Sequence, residues 1–237
     1  MIFIKPCKAI FGVLFYFFVN YLVYLNTSDS FFSLEIHNLK FKRMKTALRI
    51  IGILVLTLSF AFTTIDKKVV VIDVAHGGVD EGKKFNGTSE KEIVFQVAQK
   101  IKALNKNPNL EIVLTRESDE FLTLKERRMY INSLNQDAVI SLHANFSLNT
   151  DKSGTEIMVG HESLKKEDSQ RLASVLYSNL GFRKIEITNA TRFMLRGIDY
   201  PSVIIELGFL SNTEDFNFLT CEGGQNQLAL SILKSVE

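Results

Sequence analysis

Val69-Val70-Val71-Ile72-Asp73-Val74 is the stretch that decides the fold. Five of its six residues are β-branched aliphatics, and they do not alternate with polar ones. Such a run reads as a strand buried on both faces, the habit of parallel sheets covered by helices on each side. Comparable runs recur at Leu110–Thr115, Ala138–Leu142, Thr155–Val159 and Ser202–Leu207. Helical spacing fills the intervals at Glu90–Leu104, Thr123–Leu134 and Glu167–Leu180, and a last helix is expected over Gln225–Val236. Strands alternating with helices predict an α/β domain: a mainly parallel twisted sheet with helices on both faces. One domain of ordinary size accounts for residues 67–237.

Charge divides the chain at the same place. Residues 1–67 carry eight Lys/Arg against three Asp/Glu, whereas residues 68–237 carry 20 against 23. The domain is therefore mildly acidic, which argues against nucleic acid as a partner. Cys7 and Cys221 are far apart and form no CxxC pair, so neither a disulfide scaffold nor a cysteine metal site is expected.

The N-terminal part has the character of a targeting region. One apolar stretch runs from Ala9 to Leu25 behind Lys5 and Lys8; a second runs from Ile50 to Phe62 behind Met44, Lys45 and Arg49. A spanning helix needs about 20 apolar residues, so the second stretch has signal-peptide length, with Ser59-Phe60-Ala61 as a cleavage site. Two spans in a hairpin would leave Lys5 and Lys8 outside, against the positive-inside tendency. Residues 1–43 are therefore read as an extension upstream of a true start at Met44, with a genuine membrane anchor as the alternative. Residues 44–66 are signal-peptide-like. Either reading exports the domain to the periplasm or cell envelope, free or membrane-tethered, with no other membrane contact.

In open parallel sheets, functional residues gather just beyond the carboxyl ends of the strands. Two of the domain's three histidines lie there, His76 in Ala75-His76-Gly77-Gly78 and His143 in His143-Ala144-Asn145. Glu206 interrupts the apolar run Ser202–Leu207. Burying a carboxylate without a partner is costly, so Glu206 needs a cation, a metal neighbourhood or a proton. Two histidines with carboxylates suit Zn²⁺, which in hydrolases takes three protein ligands and leaves one position open. Taken singly, each residue also fits a purely structural role, Glu206 in an ion pair with an arginine, for instance.

At these residues the chain resembles the zinc-dependent N-acetylmuramoyl-L-alanine amidases of the amidase type 3 family. Ile72–Gly78 resembles I-D-x-G-H-G-G, Glu90-Lys91-Glu92 resembles E-K-[DE], and Leu114-Thr115-Arg116 with Leu124 and Arg127 resembles L-T-R and L-x-x-R. Ser141–Asn145 resembles S-[IL]-H-A-N, Gly154-Thr155-Glu156 resembles the strand that follows, and Pro201–Asn212 resembles P-A-V-L-V-E-L-G-F-L-S-N. The resemblance implies His76, Glu90 and His143 as Zn²⁺ ligands and Glu206 as the catalytic carboxylate. It makes residues 67–237 an amidase catalytic domain acting on peptidoglycan, and a monomer is expected. Glu90 enters only this way, because alone it reads as a first-turn acid favoured by the helix dipole.

Ala75 stands where the family has Gly, and a positive φ there would strain the loop holding His76. Asp73 is a candidate partner for the second nitrogen of a ligating histidine, or else a residue that orders the loop. Arg196 is a candidate for a peptide carboxylate, with a structural ion pair equally open. His161 and His37 match no family element.

Two rival functions share these residues: a zinc peptidase acting on free wall peptides, and an inactive wall-binding regulator. Some family members carry an inserted helix that plugs the zinc site. Here Phe146–Ser153 and Gly160–Lys166 are too short for such a lid, and in the longer stretch Gly181–Tyr200 both Ile185-Glu186-Ile187 and Phe193-Met194-Leu195 read as extended, so an open site is expected.

Overall fold

The computed structural model describes residues 16, 20–21, 44–53, 67–160, 165–190 and 196–237. The chain divides into two units, residues 1–64 and 65–237. In the first, residues 44–53 are helical. Among the described residues no helix is long and apolar enough to cross a membrane. Ser59-Phe60-Ala61, His37, His161, Phe193–Leu195 and most of both apolar N-terminal stretches lie outside the described residues.

In the second unit the elements follow in the order β1 (Lys68–Val74), β2 (Lys84–Phe85), β3 (Thr88–Ser89), α1 (Glu90–Leu104), β4 (Leu110–Leu114), α2 (Leu124–Ser133) and β5 (Ala138–Asn145). Then come β6 (Thr155–Gly160), α3 (Lys166–Leu180), β7 (Ile185–Ala190), β8 (Ser202–Phe209), α4 (Thr213–Thr220) and α5 (Glu222–Val236). Six strands form one sheet in the order β4-β1-β5-β8-β6-β7, and β2 and β3 make a separate short hairpin. Every pairing in the large sheet is parallel except β6 with β8. The expected mainly parallel sheet is present, with β6 and β7 reversed as a pair. Sequence runs carry burial but not direction, so this reversal is visible only in the fold.

Both faces of β1 are buried, as its composition requires. Val70, Ile72 and Val74 enter the main core with Ile93 and Val97 of α1, Leu176 of α3 and Leu228 and Ile232 of α5. Val71 faces the other way, into a smaller core with Val139, Met158 and Ile204 beneath Ile131 of α2. Strand alternation carries that second face through Asp73, Ser141, His143 and Glu206 to the carboxyl ends of β1, β5 and β8. The sheet thus turns polar where the aliphatic cover of α2 ends.

α2 begins with a reciprocal cap: Glu126 N donates to Thr123 Oγ1, and Thr123 N donates to Glu126 Oε2 at 2.8 Å. This cap fixes where α2 starts and so where Arg127 sits. At the other side of the sheet, Asp215 of α4 is 2% exposed and accepts from Gly154 N and Phe209 N, both at 2.8 Å. Arg183 pairs with the second oxygen of Asp215. One carboxylate therefore ties the start of β6 to the end of β8, beside the irregular β5–β8 register between His143 and Asn145.

Candidate metal centre

His76 leaves β1 two residues after its last strand position, with φ of 59°. A non-glycine residue in this left-handed region costs roughly 1–2 kcal/mol. Ala75 has no positive φ, so the strain anticipated at Ala75 falls on His76 instead. Gly77 follows with φ of 127°, and a Cβ there would lie 2.2 Å from Glu120 O. The loop therefore needs glycine after the histidine.

Glu90 opens α1 and is 4% exposed. Its Oε1 lies 3.0 Å from His76 Nε2 and 3.0 Å from His143 Nδ1, and it accepts from Ala144 N at 3.1 Å. Its Oε2 accepts from Lys83 N at 3.0 Å. The two imidazole rings stand edge to face, with centroids 5.3 Å apart. Ligand atoms of His76, Glu90 and His143 all lie within 4.8 Å of one another.

Charge follows from this packing. Burial alone would raise the Glu90 pKa, but the hydrogen bond with His143 and the close approach of the His76 ring outweigh it and hold the carboxyl far below the usual range. Burial would likewise lower the His76 pKa, yet Glu90 and Asp80 together raise it. Glu90 is an anion, and it draws positive charge toward the point between the rings.

The donor set fits a zinc ion on one particular observation. His76 Nε2 is buried and makes no hydrogen bond, although Glu90 Oε1 lies 3.0 Å away. The contact has the distance of a hydrogen bond without its direction. A buried ring nitrogen with no hydrogen bond, facing a carboxylate and a second imidazole, is what a tetrahedral N₂O site requires.

Asp80 meets the other nitrogen of His76, with Oδ2 2.9 Å from Nδ1. This is the partner for which Asp73 was a candidate. Asp73 instead accepts from Thr115 at 3.0 Å and Ser141 at 2.6 Å and pairs with Arg127 at 3.1 Å. The difference is one of direction: Asp73 is still in β1 and points beneath the sheet end, while the turn after His76 brings Asp80 back over the ring. Gly82 is a further residue that the sequence analysis missed. Its φ is +64°, and a Cβ there would lie 2.6 Å from Glu90 Oε2 and 2.8 Å from His76 Cδ2.

Glu206 is 2% exposed on β8. It is in register with His143 on β5 and with Glu156 on β6. Glu156 in turn accepts from Asn145 Nδ2 at 3.0 Å. Neighbours in register share a face, so Glu206 stands between a candidate ligand and a second carboxylate. Arg196 is on an exposed turn and is not among the three clustered residues; Arg128 of α2 donates to its carbonyl at 3.2 Å.

Comparison with known proteins gives this arrangement a family. A family model described as N-acetylmuramoyl-L-alanine amidase matches residues 70–237. The chain is 33% identical over 177 residues to YqiI of Bacillus subtilis, covering 73% of this chain and 85% of that protein. It is 31% identical over 153 residues to the N-acetylmuramoyl-L-alanine amidase LytC of Bacillus subtilis, of which it spans 30%. The fold is similar to the catalytic domain of CwlV, an N-acetylmuramoyl-L-alanine amidase from Bacillus (Paenibacillus) polymyxa var. colistinus. That likeness has a TM-score of 0.66 and 32% identity, and it covers 71% of this chain and 96% of that one. With the motif residues His76, Glu90 and His143 drawn into one cluster and the family model matched from β1 to the C-terminus, the chain belongs to the N-acetylmuramoyl-L-alanine amidase family.

Proposed function

We propose that the protein is a peptidoglycan hydrolase that cleaves the amide bond between N-acetylmuramic acid and the L-alanine of the stem peptide. The observation that carries this reading is the convergence of His76, Glu90 and His143 on one point, with a buried ring nitrogen left without a hydrogen bond. These three residues would hold Zn²⁺, which when bound supplies a Lewis acid for the carbonyl and acidifies a water. His76 is kept in one tautomer by Asp80, and Glu90 is kept ionised by the two histidines. Glu206 takes the role of general base: it accepts the proton of the attacking water and returns one to the departing amine of L-alanine. Its register with His143 in the ladder supports that role. Arg196 is assigned to a peptide carboxylate.

The domain works outside the cytoplasm in this reading, with residues 44–66 directing export and residues 1–43 lying upstream of the functional start. Expression from Met44 should then suffice for export, which fractionation of cells making either length of chain would test. The chemistry is tested by product analysis on purified muropeptides. Intact stem peptide with a free N-terminal L-alanine is the expected product. Cleavage within the peptide would make it a zinc peptidase, and absence of zinc in the purified protein would favour an inactive wall-binding regulator.

A further inference from the structure

Two arginines lie beneath the metal centre without taking part in the chemistry proposed for it. Arg116 and Arg127 are 2% and 3% exposed. A guanidinium at that depth needs acceptors for its rigid fork of N–H groups. Arg116 donates to Val74 O at 3.2 Å and to Ala75 O at 3.2 Å. Arg127 donates to Val74 O at 2.5 Å and to His76 O. Three successive carbonyls, those of Val74, Ala75 and His76, thus each accept from a guanidinium, and Val74 accepts from both.

Each arginine also reaches a second element. Arg127 pairs with Asp73, which Ser141 and Thr115 hold against the sheet. Arg116 donates to Lys91 O at 3.0 Å, in the first turn of α1 next to Glu90. One guanidinium group therefore connects the His76 loop to the sheet, and the other connects it to the turn that presents Glu90. Between them sits the residue with φ of 59°.

We propose that Arg116 and Arg127 are positioning residues for zinc: they clamp the backbone of His76 in its left-handed conformation and set its distance from Glu90. This inference rests on the metal reading given above. Lysine cannot replace either one, because a single ammonium on a flexible stem cannot bridge two carbonyls in a fixed plane.

The test uses full-length protein in detergent, with Zn²⁺ affinity measured by competition against a chromophoric chelator. Arg127→Lys and Arg116→Lys should each weaken zinc binding roughly 10- to 100-fold, the range seen when groups behind metal ligands are lost. At saturating zinc their KM for muropeptide should stay near that of the parent. Arg183→Lys is the control: it disturbs a buried Arg–Asp pair that contacts none of the three clustered residues, and should lower the thermal midpoint while leaving zinc affinity unchanged. Parent-like zinc affinity in the folded Arg127→Lys and Arg116→Lys proteins would overturn the proposal. So would failure of both to fold in saturating zinc, since the arginines would then support the whole domain rather than one ligand. Absence of zinc from the parent protein itself would instead defeat the metal reading, and is recognised because no substitution is involved.

Discussion

Glu206 stands directly beside His143 in the parallel ladder of β5 and β8, both on the face that turns polar where the cover of α2 ends. Backbone hydrogen bonds hold the proposed base and a histidine of the metal cluster on adjacent strands, about one strand spacing or roughly 4.8 Å apart. Neither depends on a loop for its position. Glu206→Gln should therefore keep zinc and the fold while lowering turnover roughly 100- to 10,000-fold, the usual weight of a general base. Near-normal hydrolysis by that variant would show that Glu206 is not the base.

The ligands should respond differently from the base. His76→Ala or His143→Ala removes one of three donors, so both zinc content and wall hydrolysis should be lost. Metal analysis after dialysis decides the matter: full occupancy in either variant removes that histidine from the site.

Asp80 acts through His76 Nδ1. Asp80→Asn keeps the shape of the side chain but weakens the hold on the ring, and zinc affinity should fall about 10- to 100-fold. Chelator competition would read this directly, and an unchanged affinity would show that the contact is incidental.

Removal of zinc should make stability depend on pH in a definite sense. The folded His76 pKa is raised above its ordinary value of 6.5, so its contribution is present below 6.5 and lost as pH rises through the raised value. Glu90 and Asp80 are depressed below 4.5 and 3.8, so theirs is present above those values and lost only in stronger acid. Metal-free protein should melt at a higher temperature at about pH 5.5 than at about pH 8.5, and Asp80→Asn should narrow the gap. A higher midpoint at the alkaline end would contradict the assignment.

Asp215 tests the scaffold rather than the site. Asp215→Ala leaves Arg183 buried without its carboxylate and frees the N–H groups of Gly154 and Phe209. Breaking such a pair costs about 3–5 kcal/mol, so the thermal midpoint should drop by roughly 10 °C. A shift within 2 °C or so would mean that the pair contributes little.

Residue composition alone determined that β1, β5, β6 and β8 exist and are largely buried, because burial on both faces selects aliphatic residues locally; β4 was also expected to be buried, but it is the edge strand and leaves Glu111 exposed. Composition also placed His76, His143 and Glu206 at strand ends, and the motif order added Glu90. The expected first helix, Glu90–Leu104, has the same bounds in the structure. Strand β7 was legible only as the extended piece Ile185-Glu186-Ile187, and α4 and the β2–β3 hairpin were not read at all, being too short for a period to emerge. What tertiary structure decided is everything that depends on which distant segments meet. The chain turns back between β5 and β6, and the crossover through α3 then lays β7 parallel to β6; neither step leaves a mark on strand composition. Asp80 rather than Asp73 reaches His76, because a turn with positive φ at His76, Gly77 and Gly78 folds the chain back over the ring. Gly82 is required only because Glu90 and His76 come to lie against it. Arg116 and Arg127 read as isolated motif letters until β1, β4 and α2 pack together, when their fixed forks find three successive carbonyls to hold.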